Sequence, residues 1–174
     1  ALDALDKALT INPTASEALV GKGIASLNRL ELKVAMRYAD RALRENPNLT
    51  SALRLSADVH LASGDFEKAM SDLLKAQKVN PREESTLGRL AVCYQLLKKN
   101  KEFDALVAEV KKYNKKPGEF YLVMGTALNA RRHYAKAEEY LEEARKQRPF
   151  LVSGIAELGL LKMRMGEEKE AEPL

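Results

Sequence analysis

Residues 50–83 read TSALRLSADVHLASGDFEKAMSDLLKAQKVNPRE, and this stretch is one period of a pattern that runs through the chain. It closes on Asn80-Pro81, and the same pair occurs at Asn46-Pro47 and at Asn12-Pro13, at intervals of 34 residues. Pro149 lies 68 residues after Pro81, which is two further periods. A proline ends a helix and forces the preceding residue out of the α region, so each proline separates two helical segments. The fixed period predicts a repeat architecture.

The repeats share small residues at fixed positions. With each proline at position 32, the repeats begin at Ser16, Thr50, Glu84, Gly118 and Val152. Position 8 then holds Gly23, Ala57, Ala91, Gly125 and Gly159, and position 4 holds Leu19, Leu53, Leu87, Tyr121 and Ile155. Alanine recurs at positions 20 and 27, as Ala1, Ala35, Ala69, Ala137 and Ala171 and as Ala8, Ala42, Ala76 and Ala144. Small residues allow two helices to approach closely, and the large residues beside them fill the space between hairpins.

At these residues the chain resembles the tetratricopeptide repeat family over essentially its whole length. The resemblance implies an all-α fold, a right-handed superhelical solenoid of antiparallel helix hairpins. We therefore expect one solenoid with these parts: the second helix of a partial repeat (1–15), repeats at 16–49 and 50–83, an irregular repeat at 84–117, a repeat at 118–151 and a partial repeat at 152–174.

The third repeat departs from the pattern. After Lys98-Lys99-Asn100-Lys101, the apolar residues fall at Phe103, Leu106, Val110 and Tyr113. We interpret this as a slip of about three residues that places Leu106 and Tyr113 where the other repeats have alanine. The sequence thus predicts a longer turn, a wider hairpin and a local change of curvature.

Both ends of the sequence are out of phase with the repeat. Residues 1–13 are typical of a second helix, whereas residues 152–165 form a first helix whose partner only begins at residues 167–174. Solenoids normally end in polar capping helices, so we expect a piece of a longer protein. Leu2, Leu5 and Leu9 would expose an apolar flank that favours end-to-end self-association.

The sequence carries no catalytic, cofactor or metal signature, so we expect no catalytic residue, no cofactor and no metal. His60 falls at an inward position and His133 in a turn, so a packed and an exposed histidine are the favoured interpretations. Cys93 is most simply a small apolar core residue. The acidic residues Glu138, Glu139, Glu142 and Glu143 are interpreted as a solvated helix face. No apolar run is long enough to span a bilayer, and the acidic N-terminus is not a signal peptide.

The net charge of +4 lies in one part of the chain. Residues 82–117 contain nine bases and five acids, and this difference equals the whole excess. The turn at residues 98–101 and the turn at residues 115–116 belong to opposite edges of a tetratricopeptide solenoid, and no aromatic residues are interleaved for base stacking. We therefore do not expect nucleic acid as the partner.

The resemblance places positions 2, 5, 9, 12 and 13 of each first helix on a concave groove that binds partners. In this chain the predicted groove residues are Val20, Ile24, Leu27, Asn28, Arg54, Asp58, Leu61, Val92, Gln95, Leu96, Leu122, Thr126, Asn129, Leu160 and Met163. An apolar surface of this kind usually marks an interaction site. The carboxylate clamp of the chaperone-tail-binding members is absent, because apolar or unmatched residues occupy its positions, such as Val20, Ile24 and Asp58.

We therefore predict a non-catalytic scaffold that binds a peptide or an amphipathic helix of a protein partner in this groove. We expect no membrane partner. A missing part of the same protein could fill the groove instead. The alternatives are a regulatory or substrate-recruiting region of a larger enzyme and a basic solenoid that contacts nucleic acid. The sequence leaves the compartment undetermined, with a cytoplasmic location favoured.

Overall fold

The structure is a computed structural model that describes residues 2–166. This part of the chain forms ten α-helices and no strand. The helices are α1 (Leu2–Ile11), α2 (Ser16–Asn28), α3 (Leu32–Glu45), α4 (Thr50–Ser63), α5 (Phe66–Val79), α6 (Glu84–Leu96), α7 (Asn100–Tyr113), α8 (Gly118–Asn129), α9 (Tyr134–Gln147) and α10 (Val152–Met165). The predicted all-α fold of helical hairpin repeats is confirmed. The predicted alanines Ala1 and Ala171, and the start of a partner helix after Gly166, lie outside the described residues.

The chain forms two compact units, Ala1–Pro81 and Arg82–Leu174. In the first unit, α2 pairs with α3 and α4 with α5, and α1 packs against α2. Alanines at the helix contacts are fully buried, among them Ala35, Ala39 and Ala42 of α3. Leu19, Val20, Leu55 and Val59 pack on them from α2 and α4. The small residues set the close spacing of the helices, and the leucines and valines supply the buried apolar area that stabilises the unit.

The apolar flank of α1 is more covered than the sequence predicts. Leu2, Leu5 and Leu9 are half-buried rather than exposed. The Leu5 side chain lies directly over Gly21, where an added Cβ would come within 2.9 Å of Leu5 Cδ2. Leu9 packs against the core of the unit. Part of the apolar surface expected to drive end-to-end association is therefore covered, and self-association stays a prediction.

In the second unit, α6 pairs with α7 and α8 with α9, and α10 packs mainly on α9. Its largest fully buried side chains come from the first helices and from α7 and α9: Leu87, Leu90, Val92, Val110, Phe120, Met124, Leu141, Leu158 and Leu161. Glu84, at the start of α6, connects several elements. Its Oε2 accepts a hydrogen bond of 3.0 Å from the Phe120 amide at the start of α8, and its Oε1 accepts one from Asn114 Nδ2.

The predicted slip in the third repeat is wrong. The second helices begin at Leu32, Phe66, Asn100 and Tyr134, which are the same position of successive repeats, and the turn before α7 has three residues, as does the turn before α3. The 34-residue phase is therefore kept throughout. What differs is side-chain size, because Phe103 and the fully buried Val110 occupy the positions that hold alanine in α3 and α5. Consistent with these larger residues, α7 packs less extensively on α6 than α3 does on α2.

Every hairpin turn of the described chain contains one residue with a positive φ angle, always at position 15. Gly64 and Gly166 adopt φ values of 83° and 78° there. Leu30, Lys98 and Arg132 adopt φ values of 62°, 56° and 61° at the same position. Because the left-handed region crowds a Cβ atom, three of the five turns contain a residue type that the conformation disfavours.

Leu30→Gly should therefore stabilise the protein. The Leu30 side chain is 78% exposed, so little packing is lost. Relief of the left-handed strain should raise the free energy of unfolding by up to about 1 kcal/mol, after the larger chain entropy of glycine is subtracted. Urea unfolding followed by circular dichroism measures this change. A lower midpoint for Leu30→Gly than for the wild type would contradict the role given to this position.

Candidate partner-binding surface

In the first unit, part of the predicted groove is accessible. Ile24 is 47% exposed, Leu27 is half-buried and Asn28 is exposed, all on α2. Arg54 and Asp58 are half-buried on α4. The Ser51 hydroxyl donates to both carboxylate oxygens of Glu17 at 3.1 Å, and both residues occupy position 2 of their helices. The predicted groove faces of α2 and α4 therefore adjoin at their N-terminal ends.

In the second unit, the accessible groove residues lie on three first helices. Gln95 and Leu96 of α6 and Leu122 and Thr126 of α8 are half-buried. On α10, Leu160 and Met163 are 43% and 51% exposed. These two residues belong to a stripe of exposed apolar side chains along α10, which consists of Val152, Ala156, Leu160 and Met163. All four residues of the stripe are apolar, and all four are exposed in the part of the chain that the structure describes.

Four of the predicted groove residues are buried and leave the candidate surface: Val20, Leu61, Val92 and Asn129. Val20 belongs to the core cluster of the first unit, and Leu61 is enclosed near the end of α4. Val92 is buried where α6 packs on α8. The prediction placed these residues on the groove from their positions in the repeat, whereas the structure buries them.

The close contact of α6 with α8 depends on Gly88. A Cβ placed on Gly88 would lie 2.8 Å from the Phe120 carbonyl oxygen and 3.0 Å from two side-chain carbons of Val123. The other repeats carry Val20, Arg54, Leu122 and Ala156 at this position. Only glycine allows the backbone of α8 to approach α6 this closely, so the groove face of α6 is covered around Gly88, whereas Gln95 and Leu96 stay partly accessible.

Two of the predicted groove residues, Gln95 and the buried Asn129, form hydrogen bonds within the unit. The Gln95 amide nitrogen donates to the Tyr140 hydroxyl of α9, and the Tyr140 ring stacks on Tyr121 with centroids 6.2 Å apart. The Asn129 carbonyl oxygen accepts a hydrogen bond of 3.0 Å from Arg164 Nη1. Both side chains therefore hold first helices to neighbouring helices, and their amides are not directed at a partner.

The electrostatics around Tyr140 keep its hydroxyl neutral at physiological pH. Burial is the main cause that raises the pKa of Tyr140 above its ordinary value. The hydrogen bond from Gln95 opposes this shift, whereas Glu139 and Tyr121 add to it. A protonated hydroxyl accepts from Gln95 and also remains a donor. This contact joins α6 to α9.

The residues singled out for possible chemistry have structural surroundings. Cys93 is fully buried. His133 is exposed, at the start of α9. The His60 side chain is 19% exposed, with its nitrogens 3.8 Å from an Asp65 oxygen and 3.9 Å from an Asp72 oxygen. Within residues 2–166, no cluster of side chains is suited to a metal ion, and no helix is long and apolar enough to cross a membrane.

The acidic residues of α9 are less solvated than the sequence predicts. Glu138 is half-buried and binds the buried Lys162 ammonium group of α10. Glu142 lies 3.2 Å from Arg145, and Glu143 accepts a hydrogen bond of 2.6 Å from Gln147. Glu139 is exposed, as predicted. The partner of Glu138 lies 24 residues away on another helix, so the helical spacing of the glutamates carries no signal for this ion pair.

Comparison with known proteins agrees with this architecture. Residues 52–83 match the family model described as tetratricopeptide repeat. A thermophilic tetratricopeptide repeat protein from Thermus thermophilus superimposes with a TM-score of 0.68 at 19% identity, over 99% of this chain and 89% of that one. YrrB, a protein described as having an unusual peptide-binding site, gives a TM-score of 0.62 at 16% identity, over 98% and 88% of the two chains. No curated protein sequence matches the chain significantly.

PilF of Pseudomonas aeruginosa has the same fold, with a TM-score of 0.63 at 19% identity, over 97% of this chain and 77% of that one. At identities this low, the structural similarity establishes a shared fold and nothing further. The fold and the matching repeat define an all-α protein built from helical hairpins. Residues 52–83 match a tetratricopeptide repeat, and the described part of the chain has the fold of tetratricopeptide repeat proteins.

Proposed function

We propose that this chain is a non-catalytic scaffold that binds the apolar face of a partner peptide or helix through its first helices. The observation that carries this proposal is the exposure of Ile24. This large apolar residue is 47% exposed although both α3 and α4 pack against its helix. A contiguous exposed apolar surface commonly marks an interaction site, and Leu27, three residues further along α2, extends the apolar surface of Ile24.

The same arrangement occurs in both units. Ile24 and Leu27 occupy positions 9 and 12 of their repeat, and Leu160 and Met163 occupy these positions on α10. Residues three apart on a helix lie on one face, so each pair forms one apolar contact surface. Such pairs suit the anchors of an amphipathic helix or an extended apolar segment. The peptide-binding site reported for YrrB supports a peptide as the class of ligand.

Ile24→Glu should weaken partner binding at least tenfold. Full burial of an isoleucine side chain contributes about 1.5–3 kcal/mol, and a charge placed in the same apolar contact adds an unfavourable desolvation term. Because Ile24 is half exposed in the free protein, we expect no loss of helicity by circular dichroism. Peptides selected from a displayed library on the wild-type chain provide the ligand, and fluorescence anisotropy measures affinity.

The matched control is Arg37→Glu, which changes an exposed residue of the second helix α3 in the same unit. The control should keep wild-type affinity for the selected peptides. The selection itself should enrich peptides with apolar residues three or four positions apart. Selected peptides that bind Ile24→Glu as tightly as the wild type would show that the partner uses another face.

A further inference from the structure

Two loops of the second unit carry an unusual concentration of positive charge. Residues 111–118 read KKYNKKPG and residues 145–152 read RKQRPFLV, and together they contain seven bases and no acid. The loops at the same repeat positions in the first unit, residues 9–16 and 43–50, together contain one base and one acid. The charge is therefore a property of this pair of loops and not of the repeat.

The structure brings the two loops together. The Arg148 side chain lies on Gly118, where an added Cβ would come within 2.7 Å of Arg148 Cγ. Arg148 Nη2 is also 3.9 Å from the Glu84 carboxylate, which binds Asn114 of the other loop. Two successive turns between hairpins thus form one surface, which we name the basic edge and define as residues 111–118 and 145–152. Sequence reasoning missed it because these residues are 34 positions apart.

The basic edge is accessible, and nearby carboxylates compensate only part of its positive charge. Its bases are all exposed: Lys111, Lys112, Lys115, Lys116, Arg145, Lys146 and Arg148. Glu84, which lies between the loops, is committed to the Phe120 amide and Asn114, and Glu142 pairs with Arg145. The exposed Glu119, at the start of α8, directly follows residues 111–118 and is the acid nearest to this loop in the sequence. A positive potential of this kind attracts an anionic partner.

An apolar group accompanies the charge. Phe150 is 94% exposed, and Val152 is exposed two residues later. An aromatic side chain this exposed has no role in the core of the unit, whereas aromatic residues are enriched where proteins meet partners. A partner that fits both features carries carboxylates beside an apolar residue.

We propose that the basic edge binds an acidic protein segment that contains an apolar residue next to its carboxylates. This site does not include positions 9 and 12 of the first helices and is independent of the proposed function. Carboxylates would contact the lysines of residues 111–116, and the apolar residue would cover Phe150. Single-stranded nucleic acid fits less well, because stacking of successive bases needs several exposed aromatic rings. Of the two aromatic rings in these loops, Tyr113 is covered by the guanidinium group of Arg82, whose carbon lies 5.4 Å from the ring centroid.

The test uses a fluorescein-labelled peptide of four glutamates flanking a leucine, and the same peptide with glutamines, titrated by fluorescence anisotropy. The acidic peptide should bind, the glutamine peptide should not, and added salt should weaken binding. The double variant Lys115→Glu/Lys116→Glu should lose about tenfold or more in affinity, because it reverses the local charge. Phe150→Ser should weaken binding about fivefold or more through the loss of apolar contact.

The matched control is Lys33→Glu/Arg37→Glu on α3, which makes the same change of net charge at exposed positions of the first unit. Its affinity should equal that of the wild type, and circular dichroism should show the same helicity for all variants. Equal affinity of the two double variants would overturn the proposal. So would tighter binding of random oligonucleotides or of phosphatidylserine vesicles than of the acidic peptide at the same salt concentration.

Discussion

Gly88→Ala destabilises the second unit, although alanine is the better helix former. The added Cβ would lie 2.8 Å from a backbone carbonyl oxygen of α8, which cannot rotate away as a side chain does. We expect α6 and α8 to separate, with an overpacking cost of about 1–3 kcal/mol. The higher helix propensity of alanine offsets about 1 kcal/mol of this cost. Urea unfolding monitored by circular dichroism measures the net loss.

Gly159→Ala is the matched control, because Gly159 also lies inside a first helix, α10. Among the described residues, nothing lies within 4 Å of a Cβ placed there. This substitution should stabilise the protein by about 0.5–1 kcal/mol through helix propensity alone. Because propensity changes equally in both variants, the difference between them isolates the packing term. If both substitutions stabilise the protein, α6 and α8 do not pack as closely as described.

Glu84→Ala produces the second large effect. The carboxylate accepts from the Phe120 amide, which belongs to the first turn of α8 and has no partner within its own helix. Removal leaves this buried amide unsatisfied, and the loss should be about 1–3 kcal/mol of unfolding free energy. Glu84→Gln keeps one acceptor oxygen and should lose less. Both losses appear as lower urea midpoints.

A second measurement on Glu84→Ala separates its local role from general destabilisation. Burial raises the pKa of Tyr113, and the negative charge of Glu84 adds to this shift. Without Glu84, the pKa of Tyr113 should move down, towards its ordinary value, in an ultraviolet titration of the folded protein. Glu139→Ala, at an exposed position of α9, should leave the urea midpoint and the titration of Tyr113 unchanged. An unchanged midpoint for Glu84→Ala would exclude the capping role.

The fold could be predicted from the sequence because its signals are local and recur. The prolines and the small residues at positions 8, 20 and 27 fix a hairpin of constant length, and the five first helices begin at the five predicted repeat starts. The third repeat misled because Phe103 and Val110 replaced the expected alanines. The larger side chains were interpreted as a shift in the 34-residue repeat, whereas the observed helix bounds follow the same period in every repeat.

The candidate surface was harder to predict because it depends on contacts between repeats. Val92 matched the groove position in sequence, but Gly88, one turn earlier, lets α8 cover it. Asn129 was expected to face a partner and is held by Arg164, 35 residues away. Ile24, Leu160 and Met163 are exposed, as their groove positions predict. The position of a residue in its repeat predicts the helix face on which it lies. The distance between neighbouring helices then decides whether a partner can reach that face.

The most direct test of the central claim, that positions 9 and 12 of the first helices bind an apolar partner segment, is residue-resolved NMR. Amide chemical shifts of the chain are recorded while a peptide selected on the wild-type protein is added. The proposal predicts the largest changes at α2, around Ile24 and Leu27, or at α10, around Leu160 and Met163. Largest changes on the exposed faces of the second helices, such as Arg37 of α3 or Glu139 of α9, would contradict it.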